Sequence, residues 1–128
     1  MSVRLWLPGS YPEWRVQRFY QGVHWSERSR RAAAAHEQVW AATLEALGTG
    51  IEPFPSPVVI TVTEFCVRPA DPSNSVQKVV VDGLIHAGLI ADDDYQHVAE
   101  LRLRSRKVRD HDAEGVEIVI EEANGHVG

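Results

Sequence analysis

Residues 58–88, VVITVTEFCVRPADPSNSVQKVVVDGLIHAG, carry the clearest structural signals in the sequence. Its first ten residues, Val58 to Val67, are dominated by β-branched and apolar side chains, which predicts a strand. Prolines, Asp, Ser and Asn then cluster at residues 69–74, which is typical of a turn. A helix is predicted from about Ser75 to Ala87. The residues predicted to bound that helix are Ser73 or Asn74 as the N-cap and Gly88 at the end.

The flanking sequence adds three strands and a longer helix. Val3 to Leu7 alternates weakly and predicts a short strand, and Glu27 to Leu47, rich in Ala, Glu, Arg and Leu, predicts a helix. Val98 to Val108 and Gly115 to Glu121 alternate between apolar and polar residues and are predicted to pair as a hairpin. The order β-α-β-α-β-β predicts an α+β fold in which two helices pack on a single mixed β-sheet.

Length and composition limit the class of protein. The chain has 128 residues, of which 44% are hydrophobic and 24% charged, so we expect one domain spanning residues 1–128. Its one cysteine, Cys66, permits no internal disulfide, which favours a reducing compartment. No apolar run approaches the roughly 20 residues of a membrane span, and residues 1–8 lack the apolar core of a signal peptide. We therefore expect a cytoplasmic protein with no membrane partner.

The net charge of −5 argues at first against a nucleic-acid partner, because such domains are usually basic. The charges are nevertheless segregated along the chain: six of the 13 basic residues lie within residues 4–31 and five within residues 102–109. In the second group Arg102, Arg104 and Arg106 alternate along a predicted strand and so share one face, where they could follow phosphates. An ordinary solvated sheet face explains the three arginines equally well.

The basic segment near the amino terminus interleaves aromatic and cationic residues. Arg15 follows Trp14, and Arg18 precedes Phe19. Such a pattern can stack on unpaired bases while it contacts the nucleic-acid backbone. Taken individually, Trp14 and Trp25 are better explained as core residues.

The segment after the central strand carries the residues suited to chemistry. A helix that starts near Asn74 places Asn74, Lys78 and Asp82 on one face, because these positions are four apart. The carboxylates of residues 92–94 follow the helix, and Asp71 precedes it; such carboxylates favour a divalent cation, for which Mg²⁺ is suited. The residues alone are explained better by an exposed acidic turn in which Lys78 and Asp82 form a surface ion pair.

The ordered set resembles the RusA-like Holliday-junction resolvases, and this resemblance spans nearly the whole chain. The family motif runs Asp-x-Asp-Asn, a short spacer, Lys-x-x-x-Asp-x-Leu, a helix ending in Ala-Gly, and then Asp-Asp. Ser73 stands where the motif has its second aspartate. The matching residues are Asp71, Asn74, Lys78, Asp82, Leu84, Ala87, Gly88, Asp92 and Asp93.

The resemblance implies a magnesium-dependent, structure-selective endodeoxyribonuclease that works as a homodimer on four-way DNA junctions, with Mn²⁺ as a substitute ion. It places catalysis at Asp71, Lys78 and Asp93, and the metal at Asp71 and Asp93 assisted by Asp92 or Asp94. The residues expected to contact DNA are Arg15, Arg18, Arg102, Arg104 and Arg106.

Two alternatives follow from the serine at position 73, which removes one negative charge from the expected magnesium site. One is a protein of the same fold that binds DNA junctions but cuts them weakly. The other is a non-enzymatic, phage-type interaction protein.

Overall fold

The structure is a computed structural model that describes residues 2–15, 24–55, 57–71 and 76–123. The described strands and helices are β1 (Ser2–Pro8), α1 (Trp25–Leu47), β2 (Val58–Cys66), α2 (Gln77–His86), β3 (Val98–Lys107) and β4 (Gly115–Glu122). They form one mixed sheet with two helices packed on it, which confirms the predicted α+β class. The predicted helix caps Ser73 and Asn74, and also Arg18, lie outside the described residues.

The sheet is organised around β2. Its strand order is β1-β4-β2-β3, with β2 antiparallel to β4 on one side and parallel to β3 on the other. Seven of the nine β2 residues are buried, on both faces of the strand, whereas β3 is largely exposed. An apolar strand is stabilised most when it has a neighbouring strand on each side, whereas a charged strand is best tolerated at the edge of a sheet. Their compositions therefore match their places in the sheet.

The predicted hairpin of β3 and β4 is wrong. β2 lies between these two strands, so they do not pair with each other. The alternation of β3 and β4 correctly predicted which residues share a face, but face alternation carries no information about which strands are neighbours. The segment between β3 and β4 instead crosses the carboxyl end of β2, where the Val108 N–H donates to the Cys66 carbonyl at 3.1 Å.

Glu114 links the segment between β3 and β4 to the residue that follows β2. Its Oε2 accepts the Val67 N–H at 3.0 Å, and its Oε1 lies 2.9 Å from Nδ1 of His111. The side chain of Glu114 is only 10% exposed. The hydrogen bond from Val67, followed by that from His111, lowers the pKa of Glu114. Because the folded state favours the ionised carboxylate, this contact stabilises the fold above the ordinary pKa of glutamate and weakens as acid protonates it.

We expect Glu114→Gln to lower the melting temperature at pH 7 and to have less effect as the pH falls below about 4, because the wild-type carboxyl is then itself neutral. Thermal unfolding measured across this pH range checks the expectation. Asp112→Asn, an exposed carboxylate in the same turn, is the matched control. A destabilisation by Glu114→Gln that stays constant from pH 7 to pH 3 would contradict it.

The core lies between one face of the sheet and the two helices. The strands contribute alternate residues, such as Leu5 and Ile118, and α1 contributes Ala35 and Val39, four residues apart on one face. Trp14 is buried, as predicted. Trp25 is 72% exposed, so its predicted core role is wrong. It is the first residue of α1, ahead of the face that meets the sheet. Neither helix is long and apolar enough to cross a membrane.

The two helices approach closely at Gly83 of α2. A Cβ built on Gly83 would lie 2.7 Å from Cγ2 and 2.9 Å from Cβ of Val39 on α1. The Cβ of Val39 is fixed to its backbone and cannot move aside. The absence of a side chain at Gly83 therefore sets the distance between α1 and α2.

We expect Gly83→Ala to destabilise the protein, because overpacking costs about 1–3 kcal/mol and outweighs the roughly 1 kcal/mol of helix propensity gained. Urea denaturation of wild type, Gly83→Ala, Val39→Ala and the double variant measures the coupling. The double variant should lose less stability than the sum of the two single variants. Strict additivity would show that the two side chains do not conflict.

Candidate active site: a cleft between α2 and β3

An open cleft of about 490 Å³ lies where the first half of α2 faces the start of β3. Lys78 and Asp82, one helical turn apart, line it from α2, and Asp93 lines it from the loop that follows. The residues that complete the cleft are Gln77, Val81, Tyr95, Val98, Ala99, Glu100 and Leu101. The cleft thus combines one cation and three carboxylates with apolar side chains.

Lys78 and Asp82, two of the three residues of the predicted polar face, lie on the same side of α2 and line the cleft. The third, Asn74, lies outside the described residues. Lys78 is exposed and Asp82 half-buried, while Val79, Val80 and Leu84 are buried on the opposite side. The hydrophobic face therefore fixes the direction in which the polar face points.

The three consecutive aspartates have different environments. Asp92 accepts the Asp93 N–H at 2.7 Å through its own side chain. Asp94 accepts the backbone N–H groups of Gln96 and His97 and lies 2.6 Å from Nδ1 of His97, so it organises the turn into β3. The hydrogen bond with His97 is the main reason that the pKa of Asp94 is lowered. Of the three, only Asp93 lines the cleft.

Asp71 is exposed and is not among the described residues that line the cleft. The preceding residue, Ala70, accepts a hydrogen bond from Oγ of Ser105 at 2.9 Å. Ser105 is four residues beyond Leu101, the last cleft residue of β3, which is a distance of about 13 Å along a strand. The structure therefore brings Lys78, Asp82 and Asp93 together but does not add Asp71 to this group.

The donor atoms in the cleft suit Mg²⁺. Asp82 and Asp93 provide carboxylate oxygens, and Mg²⁺ is commonly bound by one or two carboxylates together with water and substrate phosphate. Within the described residues, no group of three or more His, Cys, Asp or Glu side chains is arranged to hold a metal ion. Asp82 and Asp93 are therefore the cleft residues that could hold a magnesium ion.

Arg15, predicted to contact DNA, forms a largely buried ion pair. Its Nε and Nη2 donate to Oε2 of Glu64 at 3.0 and 2.7 Å, and the two side chains are 15% and 3% exposed. Oε1 of Glu64 is buried and has no partner among the described residues. The Cys66 thiol also lies against this pair, and burial, followed by the charge of Glu64, raises the pKa of that thiol. Contact of Arg15 with DNA stays a prediction.

We expect Arg15→Gln to destabilise the protein by about 3 kcal/mol or more, since it leaves the Glu64 carboxylate buried without a cation. The double variant Arg15→Gln/Glu64→Gln should be less destabilised than Arg15→Gln alone. Arg30→Gln removes an arginine that is 76% exposed and should change stability by no more than about 0.5 kcal/mol. Urea denaturation checks all three, and an Arg15→Gln protein as stable as wild type would rule out the structural role.

The arginine stripe (Arg102, Arg104 and Arg106) has the predicted geometry. Leu103 packs against the core, so the arginines that alternate with it face the other side of the sheet. Arg102 is held by Glu100, whose Oε1 accepts from its Nε at 2.9 Å. Arg104 and Arg106 are exposed.

One cluster beside the cleft was not predicted. The rings of His36 on α1 and His86 on α2 stack with centroids 4.0 Å apart. Burial, followed by the charge of His86, lowers the pKa of His36, while Asp82 opposes this effect. The two histidines are 50 positions apart in the sequence, and nothing in their local pattern indicates that they meet.

No protein-family model matches the chain, and no curated protein matches its sequence.

Proposed function

We propose that the protein is a magnesium-dependent endonuclease that acts on branched DNA, with the cleft between α2 and β3 as the site of phosphodiester hydrolysis. The observation that carries the proposal is the convergence of Lys78, Asp82 and Asp93 on one open cleft. A cation beside two carboxylates, in a cleft open enough for a polymer, suits a substrate whose reacting group is an exposed phosphate. The resemblance to the RusA-like resolvases supports four-way junctions as the substrate.

Three side chains of the cleft, and Asp94 in the loop beside it, have roles in this proposal. Asp82 and Asp93 would hold Mg²⁺, which when bound acts as a Lewis acid on the scissile phosphate. The ammonium of Lys78 contacts the non-bridging phosphate oxygens and stabilises the negative charge that develops on them. Asp94 keeps the loop that carries Asp93 in place through its hydrogen bonds to residues 96 and 97.

The arginine stripe supports a DNA substrate because it belongs to the same strand as the cleft. Residues 98–101 of β3 line the cleft, and the stripe begins at the next residue. A DNA backbone bound to these arginines would lie along β3, at the edge of the sheet, and would pass next to the cleft. Resolution of a four-way junction needs two nicks related by a two-fold axis, so we further propose that the protein acts as a homodimer.

Cleavage of a synthetic four-way junction with labelled strands tests the proposal. Wild type should nick two symmetry-related strands with Mg²⁺ or Mn²⁺ and none with a chelator. Asp93→Asn, Asp82→Asn and Lys78→Met should each lower the rate by about 100-fold or more, because each removes a group that contacts the reacting phosphate or its metal. Asp112→Asn, outside the cleft, should cut normally. The proposal fails if wild type never nicks the junction or if Asp93→Asn cuts normally.

The variant Asp71→Asn distinguishes the two ligand sets. Near-normal cleavage favours the cleft pair Asp82 and Asp93, whereas loss of cleavage favours the pair predicted from the sequence, Asp71 and Asp93. Binding measured in parallel separates loss of chemistry from loss of affinity.

A second candidate function is junction binding with little or no cleavage. It is favoured by the use of Asp94, one of the aspartates expected to assist the metal, in its own turn. This function predicts salt-sensitive binding of the junction that is unaffected by Asp93→Asn and never followed by magnesium-dependent nicking.

A further inference from the structure

The sheet has a second face that the described helices do not cover. Both helices pack on the face that carries Leu5, Ile60 and Ile118. The opposite face, here called the open face, carries the side chains that alternate with the core residues. The members that bear on binding are Arg4, Trp6, Phe65, Arg104, Arg106 and Glu117.

Two aromatic rings meet on the open face across β4. Trp6 of β1 and Phe65 of β2 have ring centroids 5.8 Å apart, although β4 lies between their strands. The indole reaches over Gly115 of β4, where a Cβ would lie 2.2 Å from Cζ2 of Trp6. Gly115 therefore provides the space in which the indole lies, and the two rings, whose planes are inclined at 53°, are neighbours on the open face despite the strand between them.

The register places the arginine stripe next to these rings. Phe65 is the partner of Gly115 on one side and of Arg106 on the other. One row across the sheet thus runs from the indole over Gly115 to Phe65 and then to Arg106. The adjacent row ends at Arg104, which is paired with Thr63, and successive stripe arginines are about 6.8 Å apart.

The charges of the open face indicate where a polyanion can lie. Arg4 is paired with Glu117 at 2.7 Å, and Arg102 is paired with Glu100 at 2.9 Å. Because Arg4 and Arg102 are each already paired with a carboxylate, they offer less net positive charge to a phosphate. Arg104 and Arg106, exposed at the edge strand, are the cations best placed to receive phosphates. A chain with its phosphates along β3 and its bases directed inward would place those bases on Phe65 and Trp6.

We propose that the open face binds single-stranded DNA, with bases stacked on Trp6 and Phe65 and the backbone held by Arg104 and Arg106. Aromatic rings that stack unpaired bases beside a cationic track are the usual means of sequence-tolerant single-strand binding. Duplex DNA does not fit this surface, because its bases are already stacked on each other. The proposal goes beyond the cleavage activity, uses none of the side chains of the cleft and needs no metal ion.

Fluorescence anisotropy of a labelled oligothymidylate, at low salt and with a chelator present, tests the proposal. Wild type should bind, and Trp6→Ala should weaken binding about tenfold, since the loss of one stacked base costs about 1–3 kcal/mol. Trp6→Phe should retain most of the affinity. The Arg104→Gln/Arg106→Gln variant should weaken binding and lower its salt dependence.

Gly115→Ala tests the geometry without altering either ring. Its Cβ would displace the indole, so binding should weaken towards the level of Trp6→Ala. Thermal melts identify any variant that has lost its fold, and the conservative Trp6→Phe keeps the test informative in that case. Matched controls are Trp25→Ala and Arg30→Gln, which alter an exposed indole and an exposed guanidinium on α1 and should bind normally.

Three results would overturn the proposal: no binding by wild type, normal binding by Trp6→Ala, or equal affinity for an oligonucleotide of the same length without bases. The binding assay contains a chelator, so it does not depend on a metal ion in the cleft. Failure of junction cleavage therefore leaves this proposal standing, and failure of single-strand binding leaves the cleavage proposal standing.

Discussion

The position of β2 inside the sheet determines where its neighbouring strands and their connections lie. A strand that exposes almost none of its side chains has to lie inside the sheet, with β4 on one side and β3 on the other. β3 and β4 are consecutive in the sequence, so their connection has to cross the end of β2, and Glu114 is held at that crossing by Val67. The same arrangement leaves β3 at the edge, with α2 beside it and the cleft between them.

The sequence predicted the elements and their faces well, and the pairing of the last two strands poorly. Alternation in β3 correctly separated Leu103 from the arginines on either side, because side-chain direction is a local property of a strand. Which strands become neighbours depends instead on contacts between residues that are far apart in the sequence. The mostly apolar run from Val58 to Cys66 does indicate a central strand, since an edge position would leave one row of its backbone N–H and C=O groups unpaired. The short polar segment between β3 and β4 is also compatible with a hairpin turn. The burial of β2 between these two strands stabilises the observed order more than a hairpin would.

Helical spacing made only part of the candidate site predictable from the sequence. Lys78 and Asp82 share a face because they are four positions apart, and the cleft contains both. The selection of Asp93 from three adjacent aspartates depends on the turn that Asp94 and His97 form, which no spacing rule gives. The surroundings of Arg15 and Trp25 were likewise not predictable from local spacing. Arg15 is paired with a glutamate 49 positions away, and Trp25 lies just ahead of the buried face of its helix.

The charges of β3 also constrain how two copies of the chain can meet. The outer edge of a strand in this position exposes unpaired backbone groups and is open to pairing with another strand. If two copies joined antiparallel through this edge, their arginine stripes would lie next to each other on one face, and like charges opposite one another are destabilising. The homodimer proposed above would therefore form its contact through another surface. Such a contact would leave the edge of β3, with the cleft on one side and the arginine stripe on the other, open to a polyanion.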